Sequence, residues 1–151
     1  MAGSHRLQTL IREIQEIGKI VTGSSIYKRF LNSRMEDLNS ELIFVVKLET
    51  QKNEIQVFDF LRKKEMISPR FGMSKPETYT MLAFDQNTRL VPGENLPSPL
   101  LHQDPLTLRC ASDAWGSFEH PVLGQTLNEL VKSHQSVERT EFYSQFLNPN
   151  Q

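Results

Sequence analysis

The sequence predicts an α+β sandwich, an antiparallel sheet with helices packed on it. Three observations carry this. Two amphipathic stretches have helical spacing, one long apolar β-branched run reads as a covered strand, and the elements come in the order helix, strand, strand, helix, strand. A complete βαββαβ unit needs a strand before the first helix. Only about five residues precede that helix, so the chain enters the pattern one strand late.

In "RLQTLIREIQEIGKI", Leu7, Leu10, Ile11, Ile14 and Ile17 fall on one helical face, with Gly18 as the stop. "IVTGSSIYK" is β-branched and aromatic and predicts a strand from Ile20 to Lys28. "RFLNSRMEDLNS" is turn-rich and reads as a loop. "ELIFVVKLET" is the strongest strand signal, and its unbroken apolar run points to a central strand. "QKNEIQVFDFLRKKEMI" predicts the second helix, with Ile55, Phe58, Leu61 and Glu65 in step and Asn53 as cap. "SPRFGMSKPE" breaks it with two prolines and a glycine. "KPETYTMLAFD" predicts a short strand with Thr78, Thr80, Leu82 and Phe84 on one face and Tyr79, Met81 and Ala83 on the other.

Turn signals then surround a short strand at Thr88 to Val91. "PLTLRCASDAW" predicts a helix opened by Asp104 and Pro105, and "HPVLGQTLNELVKS" a turn followed by a helix capped by Thr126. The final residues read as an amphipathic turn or two, or as loose chain. The expected organisation is one domain over residues 1–135 and a C-terminal tail over 136–151.

Seventeen basic residues against eighteen acidic ones leave a formal net charge of -1, so there is no basic field for nucleic acid or an anionic membrane. The one cysteine, Cys110, allows no disulfide within the chain and fits a reducing, cytoplasmic setting. The apolar runs are too short to span a bilayer, and "MAGSHRLQ" lacks the apolar core of a signal peptide.

Chemistry-bearing motifs are sparse. His5, His102, His120 and His134 show no metal-ligand spacing, and Cys110 lies among apolar residues as a buried structural thiol would. Ser24 and Ser25 have no nucleophile-elbow pattern. Arg62, Lys63 and Lys64 read as a solvated helix face, and neither common glycine-rich phosphate loop is present. These motifs alone do not point to a reaction.

Taken together, several segments do. "GKIVTGSSIYK", "LIFVVKLET", Glu65 followed by Arg70, "LPSP" and, most specifically, "HPVLGQTLNEL" are similar in order and spacing to 6-hydroxymethyl-7,8-dihydropterin pyrophosphokinase (HPPK), an enzyme family of folate biosynthesis. The resemblance runs from Leu7 to Leu130. It implies a ferredoxin-like sandwich whose first strand is missing here, although Gly3-Ser4-His5 faintly matches that strand's end. It also implies pyrophosphoryl transfer from ATP to the dihydropterin hydroxymethyl group, with two magnesium ions held by an Asp-x-Asp. Such transfer depends on positioning and charge stabilisation, and magnesium needs carboxylates.

The departures fall on the chemistry. Thr78 and Thr80 stand at the two aspartates, so the metal site loses both charges. Ile43 replaces a pterin-reading asparagine, Glu41 an aromatic residue and Leu106 a phenylalanine. Asp104 replaces a phosphate-binding arginine and Ser98 the histidine of Leu-Pro-His-Pro. The loop between Arg70 and Thr78 is short and lacks the segment that closes over substrate, and Arg70 and Lys75 are left as possible ATP or phosphate contacts.

The expectation is therefore a pseudoenzyme: a fold kept, with the pyrophosphokinase activity impaired or lost. Two other readings follow. One is an active enzyme that takes magnesium and ATP with unusual ligands, Thr78, Thr80, Lys75 and Arg70. The other is a non-catalytic module that pairs through an open sheet edge as a homodimer or with another protein.

Overall fold

A computed structural model describes residues 2–30, 40–67, 79–133 and 140–145. The architecture is mixed α and β, with helices packed on two small antiparallel sheets. In chain order the elements are α1 (Ala2–Ile14), β1 (Lys19–Gly23), β2 (Ile26–Phe30), β3 (Ser40–Ile43), β4 (Val46–Glu49), α2 (Glu54–Ile67), α3 (Leu100–Gln103), α4 (Pro105–Trp115), α5 (Leu127–Ser133) and β5 (Thr140–Ser144). One sheet pairs β1 with β4, and the other has the order β3-β2-β5.

The two long strands expected from Ile20 to Lys28 and over "ELIFVVKLET" are each broken, and at the same level. Ser24 lies at both breaks. It is fully buried, its Oγ donates to the Ser25 carbonyl and accepts the Val45 N–H, and its own N–H donates to the Val45 carbonyl. A side-chain hydroxyl in the place of a ladder carbonyl interrupts the pairing. Beyond the break the chains continue as separate pairs, Tyr27 opposite Ile43 in one sheet and Ile20 opposite Leu48 in the other.

The helix ends follow their capping residues. Asn53 Oδ1 accepts the Gln56 N–H and Gln56 Oε1 accepts the Asn53 N–H, both at 2.9 Å, which closes the start of α2 reciprocally. On that helix Val57 is the buried residue and Ile55 is half exposed, so the apolar face is rotated from the one expected. Asp104 and Pro105 open α4, and Thr126 Oγ1 accepts the Glu129 N–H at the start of α5. The short α3 falls within a stretch that reads as turns, and α1 begins earlier than its apolar face.

Three further expectations change. The strand over residues 75–85 is absent where it is described: residues 79–84 lie in no ladder. Their backbone bonds go elsewhere, with the Leu82 carbonyl taking the Ser98 N–H at 2.7 Å and the Phe84 carbonyl taking the Asn87 N–H at 3.0 Å. A strand needs a ladder partner, and among the described residues none pairs with this segment. The strand at Thr88 to Val91 reduces to one antiparallel bridge between Arg89 and Leu96. Within the expected tail, Thr140–Ser144 forms β5 on the edge of β2, where the Tyr27 and Phe142 rings meet edge to face at 6.3 Å. That pairing is non-local and leaves no periodicity in the tail itself.

The core sits under α3, α4 and α5. Leu101, Leu108, Ala111, Phe118, Leu127 and Leu130 form one cluster, with Val45, Leu82 and Ala83 packed against it. No helix among the described residues is long and apolar enough to cross a membrane.

Candidate functional site

The described positions singled out by sequence fall into two neighbourhoods. The first is built on β2 and β3. Arg29 and Glu41 are paired across the antiparallel ladder, which puts their side chains on one face. Arg29 Nε donates to Glu41 Oε1 at 2.9 Å, and Arg29 Nη1 reaches both oxygens of Asp104 at 2.8 Å. Asp104 Oδ2 also accepts the Thr107 hydroxyl at 2.6 Å. One guanidinium thus bridges two carboxylates from different elements, held by planar geometry that favours such contacts.

The charges respond to this arrangement. Burial disfavours the Asp104 carboxylate, but the hydrogen bonds from Thr107 and Arg29 outweigh it and hold its pKa below the ordinary value. Burial likewise works against Arg29, and its bonds to Asp104 and Glu41 still raise its pKa. Beside the cluster, Ile43 ends β3 opposite Tyr27, and the Arg109 guanidinium stacks 5.3 Å from the Tyr27 ring. Leu106 is 1% exposed and belongs to the interior of α4.

The second neighbourhood is a cleft of about 320 Å³ between α2, residues 79–81 and the loop 93–99. Phe58, Leu61, Met81 and Pro99 supply its apolar walls. Thr80 stands exposed beside it, and Ser98 lines it from a buried position. The Ser98 Oγ accepts the Leu100 N–H at the start of α3, a local structural bond. The charged lining is already engaged. Glu94 bonds Arg62 and Arg89, Arg62 also meets Asp59, and the Glu65 carboxylate accepts the Tyr79 N–H at 2.8 Å. Thr78, Arg70 and Lys75 lie outside the described residues.

Thr80, the described member of the expected ligand set, does not by itself fit a magnesium–nucleotide group. Of the two expected metal positions, the described one offers a neutral hydroxyl, while magnesium is held by carboxylates. Among the described residues no three His, Cys, Asp or Glu side chains are grouped to hold a metal. Arg62 of the basic run is ion-paired, and Lys64 is tied to Glu16 at 2.8 Å, so this face is only partly the solvated one expected. Cys110 is fully buried, and burial pushes its thiol up to about 11, far from a nucleophile's range.

Sequence reasoning missed two features. Arg29 carries no motif, and only the register of β2 on β3 makes it the hub of the first neighbourhood. His102 and His120, eighteen positions apart, have rings 6.0 Å apart. That pair is not a metal site, because His120 Nδ1 accepts two backbone N–H groups, which leaves the ring proton on Nε2.

Compared with protein-family models and with curated proteins, the chain matches none.

Proposed function

We propose that this chain is an HPPK-like protein of ferredoxin-like fold in which pyrophosphoryl transfer is impaired or lost. The observation that carries the reading is the Arg29 cluster. Asp104 and Glu41 stand at positions that the resemblance assigns to a phosphate clamp and a pterin wall, and both are bound by Arg29. A triphosphate approaching Asp104 meets a carboxylate held ionised, and Glu41 itself offers a pterin no aromatic ring. Thr80 adds no charge for a dication. Metal charge stabilisation is worth several kcal/mol of barrier, so its loss lowers any residual rate by several orders of magnitude.

Equilibrium binding tests this. Titrating ATP with magnesium into the protein calorimetrically gives no saturable heat at millimolar nucleotide on this reading. Saturable binding that requires magnesium overturns it and favours an active enzyme with Thr78, Thr80, Lys75 and Arg70 as ligands.

A second reading, of a non-catalytic pairing module, is favoured by the sheet edges. Among the described residues β4 has β1 on one edge and no strand on the other, and residues 79–84 lie in no ladder. Such edges recruit strands from other chains. Light scattering over a concentration series separates the cases: a mass that doubles supports pairing between copies, and a constant monomer mass counts against it.

A further inference from the structure

We propose that His120 is an acid-released clasp on the 119–126 hairpin that seats α5. The hairpin is closed by the Glu119–Thr126 bridge, by the His120 N–H to the Gln125 carbonyl at 2.8 Å and by the Gly124 N–H to the His120 carbonyl at 2.9 Å. Gly124 turns the chain at φ +69°, a left-handed geometry that suits glycine. The hairpin leads straight into α5, where the Leu127 N–H bonds the Phe118 carbonyl and the Asn128 N–H bonds the Gly116 carbonyl, both at 3.0 Å.

The His120 ring is the inner support of this turn. It is 2% exposed, and its Nδ1 accepts the Val122 N–H at 3.2 Å and the Leu123 N–H at 3.1 Å. Nε2 is buried with no hydrogen-bond partner among the described residues. A single lone pair therefore holds two backbone donors. A proton on Nδ1 removes that acceptor, strands both N–H groups and places a charge in a desolvated position. The group that acts on the ring is His102 at the end of α3, which opposes a charge on His120. Among the described residues no carboxylate, Glu119 of the hairpin included, counters it.

Opening the hairpin is the direct relief. Its tip carries Val122 and Leu123, 68% and 45% exposed, so little packing opposes release. Burial and His102 lower the His120 pKa below its ordinary 6.5. The closed hairpin is therefore fully favoured above that value and weakens as pH falls from it towards the folded-state pKa.

The experiment uses the intact protein with ¹⁵N labelling. Long-range ¹⁵N–¹H spectra at neutral pH are expected to place the His120 proton on Nε2. Within the titration window, hydrogen-exchange protection of the Val122 and Leu123 amides is expected to fall about tenfold per pH unit. Protection in α5 falls with it while α4 holds, and in His102→Ala the midpoint moves up. A proton on Nδ1 at neutral pH overturns the proposal. So does protection at Val122 and Leu123 that is unchanged down to pH 5, or loss of α4 and α5 together.

Discussion

The segment from Leu96 to Ser133 and the two site neighbourhoods are built on different terms. In the helical segment, apolar side chains fill one cluster and polar groups serve local ends: Thr126 at α5, Ser98 at α3, and Asp104, which accepts the Thr107 hydroxyl in the first turn of α4. In the neighbourhoods, the residues that the resemblance assigns to chemistry are consumed by internal contacts or carry no charge. Asp104 belongs to both regions, and there it serves the fold, receiving Thr107 and Arg29. Packing depends on volume and on satisfied polar groups, whereas phosphate chemistry depends on charges placed at a surface. The two sets of requirements are separable.

Perturbing each region measures this contrast. The largest effect is expected from Leu108→Ala, which empties a position 1% exposed inside the cluster and costs about 2–5 kcal/mol, read by urea denaturation. Arg29→Ala strands the half-buried Asp104 and lies between the exposed and buried ion-pair ranges, a loss of about 1–3 kcal/mol by the same measurement. A smaller loss than that of Asn53→Ala makes the cluster incidental and breaks the comparison.

The Asp104 pKa adds an acid signature. It is held below the ordinary 3.8, so the stability it contributes is present above that value and lost as pH falls through the folded-state pKa. Asp104→Asn is expected to flatten that limb of the stability–pH curve. Asn53→Ala removes one half of the α2 cap and costs about 1 kcal/mol in thermal or chemical unfolding. Leu90→Ser, at a residue 93% exposed, is expected to change stability by less than about 0.5 kcal/mol.

How much was legible in the sequence follows from range. Local signals carried through: the Asn53 cap, the Asp104-Pro105 start of α4 and the Thr126 cap depend on neighbours within one turn. Strand continuity did not, because the register changes where Ser24 Oγ takes the N–H of Val45, twenty-one residues away. Thr80 is where alternation predicts a strand, but strand formation also needs a partner that the sequence pattern of residues 79–84 cannot supply. β5 and the Arg29 hub were invisible for the same reason, since both are made by register across a sheet. The chemistry of Cys110 was readable from its apolar neighbours, and burial accounts for it.

The central claim is that the transfer reaction is impaired or lost. Its most direct test is AMP formation from ATP, magnesium and 6-hydroxymethyl-7,8-dihydropterin, run with the unaltered protein and with its Thr78→Asp, Thr80→Asp double variant. The account predicts no AMP above the level seen without the dihydropterin, and none from the double variant either, because Glu41, Ile43, Asp104 and Leu106 still stand at positions that the resemblance assigns to substrate. Clear magnesium-dependent AMP formation by the unaltered protein would contradict it and make Thr78 and Thr80 ligands of an unorthodox metal site.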